Sequence, residues 1–197
     1  MNDLFFHLTQ KYGGLILSYR FVFLMSSNHI STLEDLSDEI LMDIFDIISL
    51  PFDIYYGFFN LNQRFNRILS DSRLLMSLDF EESINPSKFQ YHCQIMLPCM
   101  KNQLISLRLS NEQKFYEQIE IFLHYQRLNS FHALRQLSLI QIQFDQLTRI
   151  IPDILLLTKL NRLDIDMFDA SGITTDDLSR LSNTLLSKLT TIQVRKI

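Results

Sequence analysis

A short apolar pattern recurs along this chain at nearly constant intervals, and it narrows the possible folds more than any other feature. Each instance is an apolar residue, two residues of any kind, a second apolar residue, one of any kind, and a third apolar residue. It occurs as Leu75, Leu78, Phe80; as Leu104, Leu107, Leu109; as Leu134, Leu137, Leu139; as Leu160, Leu163, Ile165; and as Leu189, Ile192, Val194. The first members lie 29, 30, 26 and 29 residues apart. One such triplet carries no weight in a leucine-rich chain, whereas five at a steady interval point to an internal repeat. The alternation inside each triplet has the period of a strand. The second and third members are therefore expected to face a core, and the residues between them to face outward.

Between the triplets the period becomes helical. Phe115, Ile119, Phe122 and Gln126 fall at helical steps, and all but the last are apolar. Leu147, Ile150, Ile151, Ile154 and Leu155 follow the stripe of a helix packed on one side. Pro152 interrupts that stripe and predicts a kink or a restart. Leu178, Leu181 and Leu185 form a further stripe, opened by Thr174 and Asp177 at capping-box spacing. A strand and a returning helix make one unit that cannot cover its own apolar face, so neighbouring units must stack. Only four Gly and four Pro in 197 residues argue against a turn-rich all-β sandwich. An irregular α/β domain is the competing reading.

Residues 72–197 resemble the longer strand-plus-helix kind of leucine-rich repeat. That family usually has Asn or Cys three residues after the last strand leucine, where its side chain satisfies backbone groups in the turn. Here those positions hold Ser83, Glu112, Ile142, Phe168 and Ile197, and Asn111 comes one residue early. The outward strand positions Ser106, Arg108, Gln136, Ser138, Arg162, Asp164, Thr191 and Gln193 are the expected client-facing surface, with plain solvated strand faces as the alternative.

Ahead of the repeats, residues 33–69 carry three short amphipathic stripes. Ser37 is placed to cap a helix with Asp38 and Glu39 in its first turn and Ile40, Leu41, Ile44 and Phe45 on one face. Pro51 breaks the chain, and Asp53 is expected to cap a second helix with Ile54, Phe58 and Phe59. Leu61, Phe65, Ile68 and Leu69 make a third stripe. So small a module buries little surface by itself and is commonly completed by a partner. It resembles an F-box, through Leu36, Glu39, Ile40, Leu41, Ile44, Phe45, Pro51, Asp53 and Phe65. Ser37 stands where that family usually has Pro, and Phe65 where it often has Trp.

The resemblance implies that Leu36, Ser37, Ile40, Leu41, Ile44, Phe45, Leu61 and Phe65 bind a Skp-type adaptor, and through it the cullin of a ubiquitin ligase. Some of these must instead belong to the module's own core. A plain helical cap on the repeats is the alternative reading. The fold expected is thus α/β. An N-terminal extension (1–30) precedes an F-box-like three-helix module (31–71), and a short leucine-rich-repeat-like solenoid (72–197) follows.

Other classes find little support. Hydrophobic residues make up 47% of the chain and charged residues 20%, enough for a packed core. A net charge of −4 with scattered Lys and Arg gives no stripe for nucleic acid. Cys93 and Cys99 match no zinc or redox spacing, and His92 beside Cys93 lacks a second pair of ligands. No cofactor, metal or catalysis is expected: the four glycines fit no phosphate loop, and Asp164 with Asp166 reads as solvated positions on one strand. The apolar run Leu15–Met25, broken by Arg20, is too short to span a membrane. Lys11 before it and Ser26 after it leave a signal peptide as the competing reading. The Asn-Pro-Ser at Asn85 is no glycosylation acceptor, so a cytoplasmic or nuclear protein is expected. The strand triplet before Ile197 leaves the last apolar face uncapped, which predicts a truncated array or a missing partner.

Overall fold

Ser37 caps the first helix as expected: its Oγ accepts a hydrogen bond from Ile40 N at 3.4 Å, and the helix follows at once. The computed structural model describes residues 35–47, 51–80, 85–112, 118–168 and 191–196. It divides into two units. One comprises the chain before Leu50 together with Asp53–Leu69, and the other Leu50–Phe52 with Ser70–Ile197.

The first unit is helical. Helix α1 spans Asp38–Ile47, α2 Pro51–Phe58 and α3 Gln63–Leu69. Pro51 opens α2 after α1 has ended at Ile47. Its missing N–H costs nothing in the first turn, so Asp53 lies inside that turn and not at the cap. Asn62 caps α3 by accepting from Phe65 N at 3.0 Å. Leu61 therefore precedes the helix and stands 54% exposed, apart from the buried stripe of Phe65, Ile68 and Leu69. The turn before it is made by Asn60 with φ 61°, a left-handed conformation that Asn tolerates. Asn60 N donates to Asn66 Oδ1 at 2.8 Å and fixes that turn. Phe45, Phe58 and Phe65 form the core, with ring centroids 4.9, 5.2 and 6.5 Å apart. Asp38 ties α1 to α3 through Arg64 Nε at 2.7 Å and through Arg67. These bonds, Arg64 first, hold its carboxyl below the usual range.

The second unit is a parallel five-stranded sheet whose spatial order follows the chain, β1-β2-β3-β4-β5. The strands are β1 Met76–Asp79, β2 Leu104–Ser110, β3 Gln136–Ile142, β4 Arg162–Met167 and β5 Thr191–Lys196. Among the described residues, α4 (Pro86–Tyr91) lies between β1 and β2, α5 (Gln118–Tyr125) between β2 and β3, and α6 (Phe144–Leu156) between β3 and β4. Parallel neighbours require such crossovers. Leu78, Leu107, Leu137 and Leu163 share one register and are all buried, as are Leu109, Leu139 and Ile165 in the next inward row. The inward positions expected from the first four triplets are thus found in the core; Leu189 and the side chains of Ile192 and Val194 lie outside the described residues.

The first triplet needs correcting at its start. Leu75 is 43% exposed because β1 alternates strictly, burying Leu74, Met76, Leu78 and Phe80, and the extra residue at the register irregularity, Ile105, lies on β2. Pro152 neither stops nor restarts α6, which runs unbroken from Phe144 to Leu156. Leu147, Ile150 and Ile154 hold the helix to the core on one face, and the exposed proline sits on the other. Leu15–Met25, Phe115 and the stripe of Thr174, Asp177, Leu178, Leu181 and Leu185 lie outside the described residues.

Buried glutamines join successive strand-helix units. Gln118 Nε2 donates to Phe80 O at 2.8 Å, and its Oε1 accepts from Ser110 N at 3.0 Å. Gln146 Oε1 accepts from Asn111 Nδ2 at 3.1 Å and from Gln143 N at 3.2 Å, closing a capping box on α6. Gln103 Nε2 reaches Asp71 O at 2.8 Å. After α4 the chain makes a π-helical turn, His92–Met96, just before Pro98. A π-helical N–H at position 98 would bond Cys93 O, but proline has none. Gln126 Nε2 takes that acceptor instead, at 2.6 Å.

Candidate functional site

The alternation that buries the leucines turns their neighbours to the opposite side, and the parallel register sets them in rows. Ser106, Gln136, Arg162 and Thr191 occupy one row, continued on β1 by Ser77. Arg108, Ser138, Asp164 and Gln193 occupy the next, continued by Asp79. All eight strand positions singled out in the sequence therefore belong to two adjacent transverse rows of one face.

A third row lies toward the strand ends. Ser110 pairs with Ile140, and Asp166 with Arg195. Between Leu139 and Ile142 the register of β3 slips, with Gln141 at φ 51°, a left-handed conformation costly for a side chain with a Cβ. Asn111 Nδ2 bonds Gln141 O at 3.3 Å across the slip, and Ile119 N donates to Asn111 Oδ1 at 3.1 Å. The asparagine that sits one residue early thus satisfies turn backbone groups. Of the positions where the repeat family has Asn or Cys, Ile142 is buried and Phe168 is exposed; Ser83 and Ile197 lie outside the described residues.

A cavity of about 200 Å³ opens on this face, lined by Arg108, Ser138, Ile140, Arg162, Asp164, Ile165 and Asp166. Arg162 Nε lies 2.9 Å from Asp164 Oδ2, and Arg108 Nε 3.8 Å from Asp79 Oδ1. Asp164 and Asp166 are not the simply solvated pair expected: both are half-buried, and Oδ1 of each is a buried acceptor with no hydrogen-bond donor. Sequence reasoning left Asp79 and Ile140 out of the outward positions and read Asp166 only as solvated. Carrying the alternation one step further along each strand finds the last two, and the first triplet itself contains Asp79.

The eight residues of the helical unit divide. Leu41, Phe45 and Phe65 are sealed in its core, and Leu36 is nearly so. Ser37 is exposed, Ile40 and Ile44 are half-buried, and Leu61 stands out. Ser37, Ile40 and Ile44 share one side of α1 by helical spacing.

His92 and Cys93 are both buried in the second unit. The His92 ring lies on Phe52 with centroids 3.8 Å apart, and burial, with Lys88 nearby, lowers its pKa to about 4. Burial alone pushes the Cys93 thiol up to about 12, and Cys99 is exposed. Among the described residues no group of His, Cys, Asp and Glu is placed to hold a metal, and no helix is long and apolar enough to cross a membrane.

The chain is thus a mixed α/β protein with an open parallel sheet. Comparison with family models, with curated proteins and with solved structures gives no match.

Proposed function

We propose that this chain is the substrate-recruiting subunit of a cullin-based, SCF-type ubiquitin ligase. Its helical unit docks a Skp-type adaptor as an F-box, and its leucine-rich-repeat-like sheet presents a client. Ligase chemistry occurs on other subunits, and this chain contributes proximity by binding at both ends. One observation carries the adaptor role: the unit fills its core with aromatic rings and still leaves Leu61 exposed and Ile40 and Ile44 half-exposed. Covering one such side chain is worth about 1.5–3 kcal/mol, enough for a few to support docking after association costs.

A second reading, an interaction scaffold with no ligase role, draws on the opposite fact. Leu41, Phe45 and Phe65, all adaptor-facing by resemblance, are fully enclosed. Capture of a purified Skp-type adaptor separates the two. The intact chain is expected to bind it, and Leu61→Asp and Ile44→Asp to weaken capture about tenfold or more with unchanged circular dichroism. Phe45→Ala is expected to lose helical signal instead, since it empties the core. A folded chain that fails to capture the adaptor rejects the ligase role and leaves the scaffold.

A further inference from the structure

The side chains that the helical unit leaves uncovered come from two places: Ile40 and Ile44 on α1, behind the Ser37 cap, and Leu61 just before α3. They make one docking face only if the start of α1 is held at a fixed angle to α3. The aromatic core engages α1 toward its other end, at Phe45. At its start the link to α3 is polar. Arg64, in the first turn of α3, donates through Nε to Asp38 Oδ1 at 2.7 Å and through Nη2 to Leu36 O. Leu36 and Asp38 flank Ser37, so one guanidinium holds the backbone before the cap and the carboxylate after it. Arg67 also bonds Asp38, but from a side chain that is 72% exposed.

That contact needs an arginine. A guanidinium presents its N–H groups in one rigid plane and bonds two acceptors in a set geometry, whereas an ammonium is a point charge on a flexible stem. The Ser37 cap is a weak hold by comparison, since its bond to Ile40 N is long at 3.4 Å. Resting on the adaptor role proposed above, we propose that Arg64 is the positioning residue of the docking face. It acts through Leu36 O and Asp38, fixing the entry to α1 and with it Ile40 and Ile44 relative to Leu61. A partly exposed ion pair such as Arg64–Asp38 contributes little to stability. Positioning is therefore separable from folding.

The test is Arg64→Lys in the full chain, which keeps the charge beside Asp38 and loses the fork, with Arg67→Lys as the control. Two readings are taken: affinity for a purified Skp-type adaptor, and amide hydrogen exchange of the free chain. The amides of Ile40 and Leu41, which bond Ser37 Oγ and Ser37 O, report the entry to α1. Arg64→Lys is expected to speed exchange at these two amides, to leave exchange in the strands unchanged, and to weaken adaptor binding about tenfold. Arg67→Lys should behave as the native chain. Native affinity in Arg64→Lys, or an equal loss in Arg67→Lys, overturns the proposal. So does a lower melting temperature with native affinity in the folded fraction, the mark of a purely structural bond. A native chain that captures no adaptor sinks the ligase role, and exchange then decides on Arg64 separately. Faster exchange at Ile40 and Leu41 keeps its hold on the α1 entry, and unchanged exchange removes that as well.

Discussion

Gln118 and Gln146 link neighbouring strand-helix units from inside their helices. They sit in the first turn of α5 and α6, and each is almost fully enclosed. Gln118 bonds backbone groups at Phe80 O and Ser110 N, whereas Gln146 takes the Asn111 side chain, itself bonded to Gln141 O. These bridges were not legible in the sequence, since a lone Gln in a helical stripe looks like a solvated position. His92 carries a prediction at the same scale. Its folded pKa is lowered from 6.5 to about 4 by burial first and Lys88 second, while in the unfolded chain it titrates near its ordinary value. Between those values the unfolded state binds more protons, so stability falls as pH drops from about 6.5 toward 4. Thermal melts of the native chain should lose stability through that window relative to those of His92→Leu. Identical pH profiles in the two proteins would refute the assignment.

The helices show where local signals were strong and where tertiary packing overruled them. Ser37 and the apolar stripes of α1, α5 and α6 were readable because caps and 3.6-residue periods act within a few residues. Pro152 brings no restart of the helix, because Leu147, Ile150 and Ile154 hold it to the core on the opposite face. Pro152 still lacks an N–H for the Thr148 carbonyl one turn earlier. Pro152→Ala, at this exposed position, should therefore raise the stability of the chain by about 1–3 kcal/mol in urea unfolding. No gain, or a loss, would mean that the proline is accommodated at no cost or stiffens the unfolded chain usefully.

Across the whole molecule, the leucine rows bind the units of the sheet into one core. Leu137 is 1% exposed and lies in register between Leu107 and Leu163, so each of its sheet neighbours depends on it. Leu137→Ala should cost about 2–5 kcal/mol in urea unfolding, whereas Leu75→Ala, at an exposed position, should fall within about 0.5 kcal/mol of the native chain. The sequence by itself determined the alternation of strand and helix, the inward leucines and the outward row positions. Those follow from the periods of 2 and 3.6, which need no knowledge of distant residues. Tertiary structure alone decided which apolar residues of the helical unit are sealed and which stand out. It also decided where Asp166 and Ile140 converge and which glutamines bridge the units. Each of those depends on residues far apart in the chain being brought close, 13 and 20 positions for Phe45 with Phe58 and Phe65, and 35 and 38 for Gln146 with Asn111 and Gln118 with Phe80, and such closeness leaves no periodic trace.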